Sequence, residues 1–415
     1  MPSAWRWATS GGSPRVTAEG HAILPDGYQP LVIYGPWSLR YDFGPGHPLT
    51  PRRFGPGISL LEALGAKRFE APEPASDDDL RLVHAAPYIE IVRRAGDDPA
   101  ALEGSGAWED RAAYASAGLG PGDDPIFPAM HEAGAAVAGG SLMAMERILD
   151  GAEAHVFHPG GGLHHAMADH ASGFCIYNDP ALAIAKARAA DLRVMYIDLD
   201  VHHGDGVQAA FWEDPAVMTV SLHESGHSLF PGTGFVDELG GGEARGTKVN
   251  VPFEPGTSDD DWLVALERVV PPLARRHRPD VLVTQHGCDS HALDPLAHLL
   301  LTTNAYRRAT VLLDELAHDV CGGRWLATGG GGYDIHRVVP RSWALVWSAQ
   351  AHVEPPVELP AAWRTGWEAD AERHAQAPIP ERLIDVPIES RLGAAIREHN
   401  RRTLESAVEL LGLSG

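Results

Sequence analysis

The densest chemistry in the sequence runs from Asp198 to Asp205, where Asp198, Asp200, His202, His203 and Asp205 fall within eight residues. Asp198, Asp200 and His202 alternate, and alternate residues of an extended chain share one face, so three polar groups converge. Buried carboxylates need a partner, and a divalent cation is the economical one. Oxygen and nitrogen donors without thiolate suit zinc, iron or another borderline divalent ion. Two ligands from this segment and the carboxylate of Asp289 would leave one coordination position open for water, the mark of a catalytic centre. The alternative for the same residues is a strand end whose aspartates cap nearby amides. His164 and His165 follow three glycines, which let backbones approach closely. Each imidazole can be oriented by an acidic partner, and Asp198 and Asp205 are the two acids not assigned to the metal. Tyr333 follows Gly329–Gly332; a phosphate loop would want a Lys and a Ser or Thr next, and Asp334 and Ile335 supply neither. His286 is expected beside the ligands, and His291 and His298 in structural roles. His21, His223, His227, His277 and His318 belong to no constellation that the sequence defines.

These residues lie where apolar runs end. Strands are expected over residues 31–34, 154–157, 193–199, 217–222, 281–284 and 325–328. Helices are expected over 58–65, 128–150, 179–190, 258–277, 303–321 and about 389–411. Asp179 reads as an N-cap with Pro180 at N1, and Ser258 with Asp261 resembles a capping box. Residues 94–126 read as a long loop, residues 1 to about 30 as a tail or lead-in, and residues 353–385 are rich in Pro, Glu and Ala. Strands alternating with helices mean βαβ units and a mostly parallel sheet. In such sheets ligands bind beyond the C-terminal strand edges, where four of these runs deliver His, Asp and Tyr.

The chain has 415 residues, 44% hydrophobic and 21% charged, which excludes a wholly disordered protein. Its 33 Lys and Arg against 56 Asp and Glu give a net charge of −23. That balance argues against direct binding of nucleic acid and favours a basic peptide or small cation. Cys175, Cys288 and Cys321 are scattered, with no CxxC pair, which fits a reducing compartment; no run of 18 apolar residues suggests a membrane span, and no apolar stretch reads as a secretory signal. The expected location is the cytoplasm.

At these residues the sequence resembles the zinc-dependent histone deacetylases of the arginase/deacetylase superfamily, and it is most similar to the bacterial acetoin-utilisation type. The matching segments contain His47 and Arg53; His164 and His165; Gly173, Phe174 and Asn178; Asp200 to Asp205; Ser221 and Phe230; Asp289 and Asp294; and Tyr333. They span roughly residues 31–350 in the family's order. The resemblance implies a single α/β domain with an eight-stranded parallel sheet, followed by a C-terminal extension over 351–415 that ends in a helix. It implies Asp200, His202 and Asp289 as ligands of Zn²⁺, with Fe²⁺ the other option. It makes His165, paired with Asp205, the general base, and His164, paired with Asp198, an electrostatic assistant. Tyr333 would donate to the substrate carbonyl. Gly173, Phe174 and Phe230 would line an acyl-lysine tunnel, Leu296 would close its rim, and Asp123 or Asp124 would supply a rim carboxylate.

The resemblance further implies a K⁺ ion held by Asp198, Ser221 and backbone oxygens of Asp200, His202 and Leu222. A second such site would use the Phe211 and Val217 carbonyls, although Asp214 and Thr247 depart from the usual side chains there. The implied substrate is an acetylated protein, a peptide or a small acetylated amine. The rivals are an acetylpolyamine amidohydrolase on the same fold and a non-catalytic acyl-lysine reader. An arginase-like site would need further Asp and His ligands for two manganese ions.

Overall fold

The computed structural model describes residues 15–16, 22–23, 27–102, 105–374, 377–388 and 393–413. Most of the expected N-terminal lead-in and the start of the last expected helix, near residue 389, lie outside these. A short antiparallel pair, β1 (Arg15–Val16) and β2 (Ala22–Ile23), stands apart from the main sheet. That sheet has eight strands: β3 (Leu31–Ile33), β4 (Phe69–Glu70), β5 (His155–His158), β6 (Val194–Asp198), β7 (Val217–Glu224), β8 (Lys248–Phe253), β9 (Val281–Gln285) and β10 (Trp325–Thr328). Their order is β4-β3-β5-β10-β9-β6-β7-β8, and every pairing is parallel. This is the eight-stranded sheet that the resemblance implies; β4 and β8 were not separable as runs in the sequence.

The central strands are buried on both faces, as helix-covered parallel strands must be. In β6, Met195 and Ile197 join one core and Val194 and Tyr196 the other, the period of two that separates the faces. The helices Met130–Leu149 and Asp179–Ala189 cover one face; Asp259–His277, Thr303–Cys321 and Val339–Gln350 cover the other. Fully burying one Leu or Val contributes about 1.5–3 kcal/mol, so these cores hold the strand ends rigid. Residues beyond 351 pack onto the same core through Trp363, Leu383 and Leu404. No helix among the described residues is long and apolar enough to cross a membrane.

Local expectations needed four corrections. Residues 94–126 are not a long loop, because Ala86–Asp97 is a helix, Pro99–Leu102 a short one and Trp108–Ser116 another. In Trp108–Ser116 the one buried residue is Tyr114, so there was no apolar period to read. The helix expected from residue 58 starts at Phe54, with Pro56 in its first turn. Asn178, not Asp179, caps the helix Asp179–Ala189 through Ala181 N–H at 3.0 Å. Ser258 makes no side-chain cap; the helix begins at Asp259, whose carboxylate accepts from Thr302 N–H and Oγ1–H at 2.8 and 2.7 Å.

Candidate active site

Four adjacent strands, β5, β10, β9 and β6, end at one edge and release the loops that carry the candidate residues. The glycine loop after β5 is fixed by the carboxylate of Asp179, which accepts from Gly162 N–H at 3.0 Å and Leu163 N–H at 2.8 Å. Asn178 Nδ2 donates to the carbonyls of His164 and Ala166 at 3.1 and 3.0 Å. The displaced cap residue and its neighbour therefore position the two histidines.

His164 Nδ1 lies 2.7 Å from Asp198 Oδ2, and His165 Nδ1 lies 2.7 Å from Asp205 Oδ1. The two Nε2 atoms are 3.0 Å apart. Burial lowers the His165 pKa to about 4, with the His164 charge acting in the same sense against Asp205. Burial also opposes charge on His164, but Asp198 and Asp200 outweigh it and raise its pKa to about 9. The surroundings thus favour charge on His164 and oppose it on His165.

Asp200, His202 and Asp289 bring their donor atoms within 4.8 Å of one another, and all three residues are buried. His202 Nδ1 stands 3.0 Å from Asp200 Oδ1 and 3.1 Å from Asp289 Oδ2. Burial and the Asp200 carboxylate push Asp289 up to about 6. Two buried carboxylates and an imidazole facing one point require positive charge there, so the donor set fits a divalent metal. Further bonds orient the ligands: Gln285 Nε2–H and Gly331 N–H donate to Asp200 Oδ2 at 2.7 and 2.8 Å, and Val201 N–H to Asp289 Oδ1 at 2.9 Å. A Cβ on Gly331 would stand 2.0 Å from Asp289 Oδ2, so only glycine fits. The sequence reading missed Gln285; its one signal was its place at the end of β9, beside Asp198 in register.

Tyr333 is half-buried across the pocket, 5.8 Å from the Phe174 ring, with its N–H bonded to Asp294 Oδ2 at 2.7 Å. Burial and the nearby carboxylates raise its pKa well above the ordinary phenol value, so the hydroxyl keeps its proton. Gly173 and Phe174 both have positive φ, 54° and 69°. A side chain at Gly173 would meet His165 at 2.5 Å and Phe230 at 2.9 Å. Phe174 tolerates the left-handed conformation because Tyr41 Oη–H holds its carbonyl at 2.8 Å. The Phe230 ring, 41% exposed, stands 5.0 Å from His165. Leu296 is half-buried. Of the rim pair, Asp123 is exposed, whereas Asp124 is 3% exposed and pushed up to about 8 by burial and Asp123, which leaves it unavailable to a ligand in solvent.

Asp198 and Ser221 pair in register on β6 and β7. His223 Nε2–H donates to Gly234 O at 2.9 Å, so its Nδ1 accepts from Ser221 Oγ–H at 2.7 Å, leaving the Ser221 lone pairs for a cation. His223, outside any constellation in the sequence reading, thus orients that hydroxyl. The second implied cation place is corrected. Val217 O accepts from the buried ammonium of Lys248 at 2.6 Å, and that Nζ also reaches Thr247 Oγ1 at 2.9 Å and Asp214 O at 3.3 Å. The chain supplies its own cation there. His286 Nε2 lies 2.7 Å from Thr284 Oγ1. His291 binds Asp385 at 3.0 Å and His298 binds Glu224 at 2.9 Å, both structural.

Comparison with known proteins gives the family and the fold. A histone deacetylase domain matches residues 47–350. The chain is 42% identical over 342 residues to the acetoin utilization protein AcuC of Bacillus subtilis, covering 81% of this chain and 86% of that protein. It is 36% identical over 367 residues to AcuC of Staphylococcus xylosus, covering 86% and 92%. Among solved structures, an HDAC homolog complexed with SAHA is similar at a TM-score of 0.80 and 29% identity, covering 92% of this chain and 100% of that one. An HDAC homolog from Aquifex aeolicus gives a TM-score of 0.79 at 29% identity, with the same coverage.

Proposed function

The chain belongs to the histone deacetylase family, and on that premise we propose that it is a metal-dependent amidohydrolase acting on acylated amines. Its substrates would be acetylated lysine side chains of proteins or peptides, or small acetylated amines. The observation that carries this reading is the juxtaposition of two His–Asp pairs with a three-residue donor set, opposite a protonated tyrosine. Asp200, His202 and Asp289 would hold Zn²⁺ or Fe²⁺. When bound, such an ion polarises an amide carbonyl and makes water more acidic. Asp198, Ser221 and backbone oxygens of Asp200, His202 and Leu222 would hold K⁺. Three free, buried cysteines support a reducing compartment such as the cytoplasm.

The chain's own groups account for the proton movements. Neutral His165, its Nδ1–H on Asp205, takes the proton of the attacking water at Nε2. Charged His164, fixed by Asp198, stabilises negative charge as it develops. The Tyr333 hydroxyl donates to the carbonyl oxygen most strongly when that oxygen is an anion. The imidazole that gained a proton returns it to the leaving amine. Phe174 and Phe230 offer apolar walls to a neutral acyl-lysine stem. Asp123 at the rim and the net charge of −23 favour basic flanking residues.

The test is a panel of acetyl-lysine peptides, longer acyl-lysines, acetylpolyamines and small acetylated metabolites. Turnover of acetyl-lysine peptides is expected. Binding without hydrolysis across the whole panel would make the protein a reader, and turnover of acetylpolyamines alone would narrow the substrate to polyamines.

A further inference from the structure

We propose that His155, Asp314, His318 and His352 form a second divalent-metal site of the three-histidine, one-carboxylate zinc type, at the sheet edge opposite the catalytic one. The residues come from three elements. His155 opens β5, the strand whose other end, His158, leads into the catalytic glycine loop. Asp314 and His318 are four apart on the helix Thr303–Cys321 and therefore share a face. His352 follows the helix Val339–Gln350 in the left-handed conformation, φ 53°, held by its N–H to Ala349 O at 3.0 Å.

Their donor atoms converge. One atom from each of the four lies within 4.8 Å of every other. From Asp314 Oδ1 the distances are 3.6 Å to His155 Nε2 and 3.7 Å to His318 Nε2; from Asp314 Oδ2 it is 3.0 Å to His352 Nε2. Ligand atoms about 2.0–2.1 Å from a tetrahedral zinc stand about 3.3 Å apart, in the middle of that range.

The second observation is the state of His155. It is 0% exposed. Its Nδ1 lies 2.9 Å from the Gln350 carbonyl, which can only accept, so Nδ1 carries hydrogen. With that hydrogen on Nδ1, Nε2 of the neutral ring carries a lone pair. That lone pair has no hydrogen-bond partner among the described residues, and it faces the Asp314 carboxylate. Acceptor against acceptor in a buried place is costly, and a cation between them satisfies both. The bond from Nδ1–H to a carbonyl is also the outer contact that metal-bound histidines usually make.

Three imidazoles and one carboxylate without thiolate select zinc, cobalt or nickel over calcium or magnesium. Four protein ligands make a closed, structural site. The ion would clamp the start of β5 to two helices, with an entry path on the side of His352, whose side chain is 42% exposed.

Zinc titration of chelator-stripped protein tests this, with bound metal and Tm as readouts. Wild type should take up two equivalents, and His318→Gln one, with turnover unchanged. Zinc beyond the first equivalent should raise the Tm of wild type and not that of His318→Gln. His352→Gln changes the most exposed ligand, where folding is least at risk, and should weaken the second equivalent at least about tenfold. Asp289→Ala should keep this equivalent while losing the catalytic one, so failure of one site is distinguishable from failure of the other. Saturation of wild type at one equivalent, or two equivalents of unchanged affinity in both histidine variants, would overturn the proposal.

Discussion

Both edges of the parallel sheet gather histidine and aspartate, but they pair them differently. At the catalytic edge the two working histidines each have their own acid at 2.7 Å, and two further carboxylates flank His202. At the opposite edge three histidines share the single carboxylate of Asp314 at 3.0–3.7 Å. Each private acid orients its ring, while burial on His165 and the added charge of Asp200 on His164 push the adjacent rings toward different protonation states, which is what proton transfer needs. A shared acid leaves the buried Nε2 of His155 facing it without a hydrogen-bond partner, an arrangement that a bound cation would satisfy. The number of acids per histidine, rather than the presence of histidine, separates a reacting site from a holding site.

The largest expected effect lies at the catalytic edge. Asp289→Ala should abolish turnover and the first metal equivalent while leaving the Tm response of the opposite edge intact, as measured by metal analysis beside thermal melts. His165→Ala should reduce kcat at least about a hundredfold, and His164→Ala by less. A greater loss in His164→Ala at every pH would reverse the roles of the pair.

Next in size is the support beneath the catalytic edge. Fully buried Arg341 is held by Asp385 at 2.6 Å, and Asp385 also binds His291, two residues from Asp289. Asp385→Ala leaves that guanidinium unpaired and should cost about 3–5 kcal/mol in denaturant unfolding. Bonds to His291 and the charge of Arg341 outweigh burial and hold the Asp385 pKa below its ordinary value. Its contribution is therefore present above the unfolded value, about pH 4, and is lost as pH falls through the folded one. The stability gap between wild type and Asp385→Asn should narrow on acidification.

A smaller effect is expected at Lys248. Lys248→Met strips a donor from Val217 O, Thr247 Oγ1 and Asp214 O and should cost about 1–3 kcal/mol. The stability of the variant should rise with added K⁺, whereas that of wild type at this place should not.

The same contrast explains what the sequence disclosed. The catalytic edge was legible because its residues cluster in short segments: Asp198 to Asp205 in one run, His164 beside His165, and Tyr333 after four glycines. Alternation in an extended strand end turns sequence spacing directly into shared geometry. The holding edge was not legible, because residues 155, 314, 318 and 352 meet only after three elements pack; the four-residue step from Asp314 to His318 was its one local trace. Gln285 and Lys248 were hidden for another reason. Each acts through a neighbouring strand, so its role depends on register rather than on its own sequence context.

Turnover by wild type and Tyr333→Phe at equal metal content, with ligand affinity measured separately, tests the hydrolytic role of the catalytic edge. The substitution removes one hydroxyl and leaves both histidine pairs, the donor set and the pocket walls in place. Stabilisation confined to the transition state predicts a kcat about a hundredfold lower, with acetyl-lysine affinity changed less than about tenfold. Equal turnover in the two proteins would contradict the hydrolytic reading of this edge.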